Sequence, residues 1–205
     1  MKHSLLLSLA AVAALTLRPS PARADDTPPE AQEGSGAPVR RVGVELDVVQ
    51  PFVPTVGILK PKVTVMLWGN PKGLRGDLVA GLFIRPHVEH DVLEHIDEYM
   101  LVAGYRQYWW HGVHTEVLLD GGAAWGRNKF DGKEYRTPTL FLEANVGYRF
   151  AFFEKGGLTE GSAPIGFFVT PQFGALGTLG VSDIGPRNGK PDWFVQGNLL
   201  VGASF

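Results

Sequence analysis

Trp193-Phe-Val-Gln-Gly-Asn-Leu-Leu-Val-Gly-Ala-Ser-Phe205 alternates apolar side chains with small or polar ones over thirteen residues. Counting in twos from Phe205 collects Ala203, Val201, Leu199, Gly197, Val195 and Trp193. The intervening row is Ser204, Gly202, Leu200, Asn198, Gln196 and Phe194. A period of two places successive side chains on opposite faces of an extended chain, so this segment reads as a strand with one greasy and one mostly wet face.

The same period recurs upstream. Leu140, Leu142, Ala144, Val146, Tyr148, Phe150 and Phe152 alternate with Thr139, Phe141, Glu143, Asn145, Gly147, Arg149 and Ala151. Val113, Thr115, Val117, Leu119, Gly121, Ala123 and Trp125 alternate with His114, Glu116, Leu118 and Asp120, and the preceding His111-Gly112 reads as a tight turn after Tyr99 to Trp109. Shorter rows occur at Val42 to Phe52, Val63 to Trp68, Leu78 to Ile84 and Ile165 to Phe173. The count is eight strands. Several are near the 9–11 residues that a tilted strand needs to cross a bilayer, and an even number puts both chain ends on one side.

Composition agrees with an all-β chain. There are 26 glycines, 11% aromatics and no cysteine, so no disulfide contributes to stability. The longest uncharged stretch after the amino-terminal region, Gly161 to Ser182, contains Pro164, Pro171 and several glycines and makes a poor helix. In lipid only helices and closed barrels satisfy the whole backbone, so a membrane reading of this chain means a barrel.

At the other end, Lys2 and His3 precede an uncharged run from Leu5 to Leu17, followed by Pro19, Pro21 and Ala22-Arg23-Ala24. This pattern predicts a secretory signal peptide over residues 1–24. Its removal would take Lys2, Arg18 and Arg23 from the 19 basic residues, leaving 16 against 21 acids, a net charge of −5. A nucleic-acid partner is therefore not expected. Residues 25–41, rich in Pro, Gly, Glu and Gln, read as a flexible periplasmic leader, and residues 42–205 as the folded domain.

With the amino terminus in the periplasm, residues 70–76, 110–112 and 154–164 become periplasmic turns. Residues 53–62, 88–98, 126–137 and 177–192 become outer loops. Phe52, Trp68, Tyr99, Tyr108, Trp109, Trp110, Trp125, Phe152, Phe153 and Trp193 gather at strand ends, where interfacial aromatic girdles are found.

These patterns resemble the small eight-stranded proteins of the Gram-negative outer membrane, of the OmpA transmembrane domain, OmpX and OmpW types, over residues 42–205. The resemblance implies an antiparallel up-and-down transmembrane β-barrel in the bacterial outer membrane, with outer-membrane lipid and the barrel assembly machinery as partners. It also implies that Phe205, with Ala203, Val201 and Leu199, is the signal read by that machinery. Such patterns carry architecture and not activity.

Chemistry is expected in two places. Glu45, Asp47, Arg85, Arg106, His114, Glu116, Asp120, Glu143 and Arg149 all fall on inward rows. An eight-stranded barrel is just wide enough to be filled by side chains, so they read as an interior plug of ion pairs and hydrogen bonds, with a narrow proton or solute path as the alternative. In Pro86 to Glu98, His87, His90 and His95 stand among five acids. His87, His90 and Glu94 could approach one another on a helical turn and hold zinc or copper, or the segment could be a solvated acidic loop.

An enzyme is not expected. Beyond the signal segment the serines are Ser35, Ser162, Ser182 and Ser204, and none has a neighbouring His. No cofactor signature is present. The expected role is a structural or surface-interaction one carried by the outer loops. The alternatives are a porin-like barrel that binds or passes a small apolar compound, and a soluble periplasmic lipocalin-like binder.

Overall fold

The computed structural model describes residues 41–53, 56–69, 74–88, 93–110, 112–152, 165–179 and 193–205. The chain divides into two units, Met1–Gly36 and Ala37–Phe205, and every described residue lies in the second. The expected signal peptide and nearly all of the expected leader thus fall outside the described residues.

Among the described residues there are nine strands: β1 (Val42–Asp47), β2 (Pro61–Gly69), β3 (Arg75–Val88), β4 (Leu93–Trp110), β5 (Val113–Asn128), β6 (Glu134–Tyr148), β7 (Phe150–Phe152), β8 (Gly166–Thr178) and β9 (Trp193–Ser204). All pairings are antiparallel. The hydrogen bonding runs from β1 through β2, β3, β4, β5, β6, β8 and β9, and returns to β1. The expected all-β antiparallel class is what the structure has. One short 3-10 turn, η1 (Gln50–Phe52), follows β1. No helix among the described residues is long and apolar enough to cross a membrane, which says nothing about crossing by strands.

The ninth strand has a simple origin. Phe141 faces Thr178 and Gly147 faces Gln172, while Phe150 faces Val169 and Phe152 faces Phe167, all in one unbroken register. So β7 prolongs β6 past a one-residue break at Arg149, whose N–H instead bonds the Gly112 carbonyl at 2.9 Å. The sequence pattern, which does not see a one-residue break, counts these as one strand.

Closure of the ring carries a stagger. Val44 faces Val63, and the chain of partners continues through Ala80, Ala103, Leu119, Leu142 and Gly177 to Trp193 on β9. Yet Val44 itself faces Ala203, ten residues further along that strand. Such a stagger obliges the strands to tilt, typically by roughly 35–45° in closed antiparallel sheets. Gly104 and Gly122 let β4 and β5 approach closely, because a Cβ at either position would strike backbone of the neighbouring strand, Val117 and Leu118 for one, Tyr99 and Met100 for the other.

Several boundaries differ from the sequence reading. β1 stops at Asp47 rather than near Phe52, because the Asp47 carboxylate accepts the N–H groups of Val49 (2.8 Å) and Gln50 (3.2 Å) and turns the chain ahead of Pro51. The expected outer loop 88–98 is largely strand, since β3 runs to Val88 and β4 starts at Leu93. The expected 126–137 connection shrinks to residues 129–133, where the Asn128 side chain accepts the Phe130 N–H (2.7 Å) and Gly132 takes a positive φ of 68°. The segments 153–164 and 180–192 lie outside the described residues.

Candidate functional site

Alternation sorts every strand of the ring into two sets. The inward set is buried and the outward set exposed most cleanly in β1, where Gly43, Glu45 and Asp47 are buried and Val42, Val44 and Leu46 are not; on β9 only Leu200 and Ser204 of the inward row are buried. Of the nine polar residues expected inside, Glu45, Asp47, Arg106, His114, Glu116, Asp120, Glu143 and Arg149 are buried, and Arg85 is half-buried.

The structure brings them into storeys. In the first, the Arg106 guanidinium forks onto Glu45, with Nη1 to Oε2 at 3.0 Å and Nη2 to Oε1 at 2.5 Å, while its Nε donates to Glu116 Oε2 at 2.7 Å. Lys62 Nζ closes the quartet, 3.1 Å from Glu45 and 3.0 Å from Glu116. Two acids and two bases alternate around a loop, so each charge touches two of opposite sign. His114 continues the storey: its Nδ1 lies 3.0 Å from the Gly112 carbonyl and its Nε2 is 3.0 Å from the Gln172 amide, an arrangement suited to the neutral ring protonated on Nδ1.

In the second storey Lys60 bridges Asp120 at 2.6 Å and Glu143, and Gln196 donates to Glu143 at 3.3 Å and to Asn145 at 3.2 Å. Val79, Phe83, Met100, Val102, Leu118, Phe141, Leu176 and Ile58 form an apolar layer beside these charges, Leu118 standing on β5 between Glu116 and Asp120. Toward one rim Arg85 pairs with Glu98 at 2.9 Å. At the opposite end Arg75 pairs with Asp77 at 2.5 Å, and Arg149 lies over the Phe168 ring at 3.8 Å.

Five of these charges, Lys60, Lys62, Arg75, Asp77 and Glu98, are absent from the expected set. They lie in stretches whose composition reads as connections, 53–62, 70–76 and 88–98, or beside one of them. The signal that finds them is balance. The expected inward acids Glu45, Asp47, Glu116, Asp120 and Glu143 outnumber the well-buried expected bases, and an unpaired buried carboxylate is costly. With Lys60, Lys62 and Arg75 added, the named interior groups come to six bases against seven acids, Asp77 and Glu98 included. Such near-neutral pairing fits a filled interior better than a path selective for one sign of ion.

The outward rows have the opposite chemistry. From Tyr99 to Tyr105 on β4, Val113 to Trp125 on β5, Pro138 to Phe152 on β6 and β7, and Trp193 to Phe205 beside β1, no outward residue is charged. Exposed large apolar side chains include Leu78, Leu82, Leu101, Val117, Leu119, Val146, Phe167, Phe173 and Val201. Aromatics border this band. Tyr99 stacks on Trp125 at one edge (5.1 Å between ring centres). At the other, Trp68 donates to Tyr105 (3.1 Å), and Trp109 to Thr115 (3.0 Å). Leu199, Val201, Ala203 and Phe205 lie on this outward side, and the Phe205 N–H bonds the Val42 carbonyl at 2.8 Å.

The histidine segment is built differently from the expectation of a helical turn. His87 is the penultimate residue of β3, inside the register shift between Arg85 and Val88, and His95 lies in β4. His90 is outside the described residues, and the carboxylate that joins His87 and His95 is Asp97, not Glu94. Comparison with family models, with curated proteins and with solved structures finds no match for this chain.

The quartet generates a test. Replacing Arg106 by Leu leaves Glu45 and Glu116 buried with only Lys62 between them, and removing one partner of a buried pair costs about 3–5 kcal/mol. The double variant Arg106→Leu with Glu116→Leu leaves Glu45 paired with Lys62 and is expected to regain more than half of that loss. Urea unfolding midpoints of the three proteins check it; a double variant no more stable than Arg106→Leu contradicts the pairing.

Proposed function

We propose that this chain is a non-enzymatic β-barrel of the bacterial outer membrane, with eight spanning strands, a plugged interior, and a structural or surface-interaction role carried by its outer loops. One observation carries the reading: a hydrogen-bonded ring with its charges inside and an uncharged, aromatic-bordered band outside. A water-soluble monomer rarely exposes a contiguous apolar patch beyond a few hundred Å². A lipid-facing wall requires one, about 25 Å tall and flanked by aromatics. Closure supports it further, because in hydrocarbon an open sheet edge leaves backbone groups unsatisfied.

The filled interior argues for a role that does not depend on bulk flow. Ion pairs and an apolar layer occupy the space that a general porin keeps open. On this reading outer-membrane lipid and the barrel assembly machinery are the partners, and the signal peptide directs export.

A second reading, binding or passage of a small apolar compound, is favoured by one detail of the wall. β1 follows β9 only as far as the bond from Val48 N–H to the Leu199 carbonyl, at 2.9 Å, whereas β9 extends to Trp193. Beyond that point η1 replaces a strand: Gln50 and Asn198 join through their side-chain amides, and Val195 stands 72% exposed. Ile58 and Val56, following η1 in the chain, pack on the interior apolar layer. Flux of a neutral apolar fluorophore into vesicles carrying the protein, compared with empty vesicles, tests this; equal flux removes the second reading and leaves the first.

For the first reading, membrane fractionation is followed by gel electrophoresis of boiled and unboiled protein. Outer-membrane recovery with a mobility shift on boiling is expected. Recovery in the soluble periplasm without a shift overturns the membrane assignment and favours the lipocalin-like binder.

A further inference from the structure

Two histidines, one near the end of β3 and one near the start of β4, face each other on the outward side of the ring, one step beyond the Tyr99–Trp125 stack. The imidazoles of His87 and His95 lie nearly parallel, 3.8 Å between ring centres and 20° apart. Asp97 completes the group. One of its oxygens accepts the His87 backbone N–H at 2.8 Å, and the other lies 3.5 Å from His95 Nε2. One ligand atom from each of the three residues lies within 4.8 Å of the others.

We propose that His87, His95 and Asp97 form a binding site for a borderline divalent transition cation, Zn²⁺ or Cu²⁺. Three features of the geometry carry this. First, the donor set of two imidazole nitrogens and a carboxylate oxygen suits Zn²⁺ and Cu²⁺, whereas Mg²⁺ and Ca²⁺ take oxygen ligands. Second, the ligands stand on paired strands: Arg85 faces Glu98 and Val88 faces Ile96 on either side of the register shift. A site on strands holds its ligands more accurately than one on a loop.

Third, His87 adopts a φ of +51°, the left-handed region that residues other than glycine seldom enter. Such a conformation is strained and persists only where its surroundings impose it. Here the Asp97 carboxylate imposes it by accepting the His87 N–H. That one residue thereby serves twice, fixing the backbone that carries one imidazole and presenting an oxygen beside the other. The remaining coordination positions face solvent, because His87 is exposed and His95 and Asp97 are half-exposed. A cation held there would keep room for water or for a phosphate oxygen of a neighbouring lipid. The site does not depend on the interior network or on the membrane reading.

The experiment uses the full-length protein without a histidine tag, folded in detergent micelles and stripped by a chelator. Titration calorimetry with zinc chloride is paired with electron paramagnetic resonance of the Cu²⁺-loaded protein. One cation per chain and nitrogen hyperfine structure from two imidazoles are expected. His87→Asn removes a ligand while keeping a residue that tolerates positive φ, and Asp97→Asn keeps an oxygen for the His87 N–H. Losing even an outer-shell partner costs metal sites about 10–100-fold in affinity, so each of His87→Asn, His95→Ala and Asp97→Asn should weaken zinc binding at least about tenfold. A far-ultraviolet circular-dichroism spectrum matching that of the parent confirms that each variant is folded. Absence of stoichiometric binding by the parent protein, or full affinity in any folded variant, overturns the proposal.

Discussion

Pairing of β1 with β9 is the interaction on which the other features rest. Those few backbone hydrogen bonds, from Gly43 opposite Ser204 to Asp47 opposite Leu200, turn a sheet into a ring. A ring has no free ladder edges except where it is left incomplete, and it has an inside and an outside. Once closed, alternate residues of every strand must be inward or outward together. A one-residue slip of β5 would send Glu116 and Asp120 out and Val117 and Leu119 in, so the register is held by chemistry as well as by hydrogen bonds.

The inside then sets its own terms. A ring of this circumference has room for side chains and little else, so a charge placed there must find an opposite charge or a hydrogen bond within reach. The Glu45, Lys62, Arg106 and Glu116 quartet meets that condition by alternation of sign, and Lys60 meets it for Asp120 and Glu143. Buried ion pairs of this kind add little net stability compared with apolar packing, but they make wrong registers expensive. The outward rows complement them. Their band is uncharged and bordered by aromatic contacts, Tyr99–Trp125 and Trp68–Tyr105, which on the proposed membrane reading would stand at the headgroup boundary.

Much of this is legible in the chain because a period of two is a one-dimensional signal. Val117 against Glu116 and Leu142 against Glu143 declare their faces without knowledge of any partner strand. What escapes is whatever depends on a neighbour. Lys62 and Arg75 look like loop residues, since charge near a proline or a glycine usually means solvent; only the acids across the ring give them a buried role. The stretch from Leu93 to Glu98 looks like an acidic loop for the same reason, yet it pairs with Val88 and with β5. The Asp97 contact to His87 also escapes, because it needs the register shift after Arg85, which no periodicity announces.

The most direct measurement is a nitroxide scan along β5 in lipid bilayers, from position 113 to 125, reading the accessibility of each label to oxygen and to a water-soluble nickel chelate. Labels at 113, 117, 119 and 123 should favour oxygen, as lipid-facing sites do, and labels at 114, 116, 118 and 120 should be shielded from both, giving a period of two across the strand. A flat profile, or outward labels that favour the nickel chelate, would contradict a lipid-facing ring.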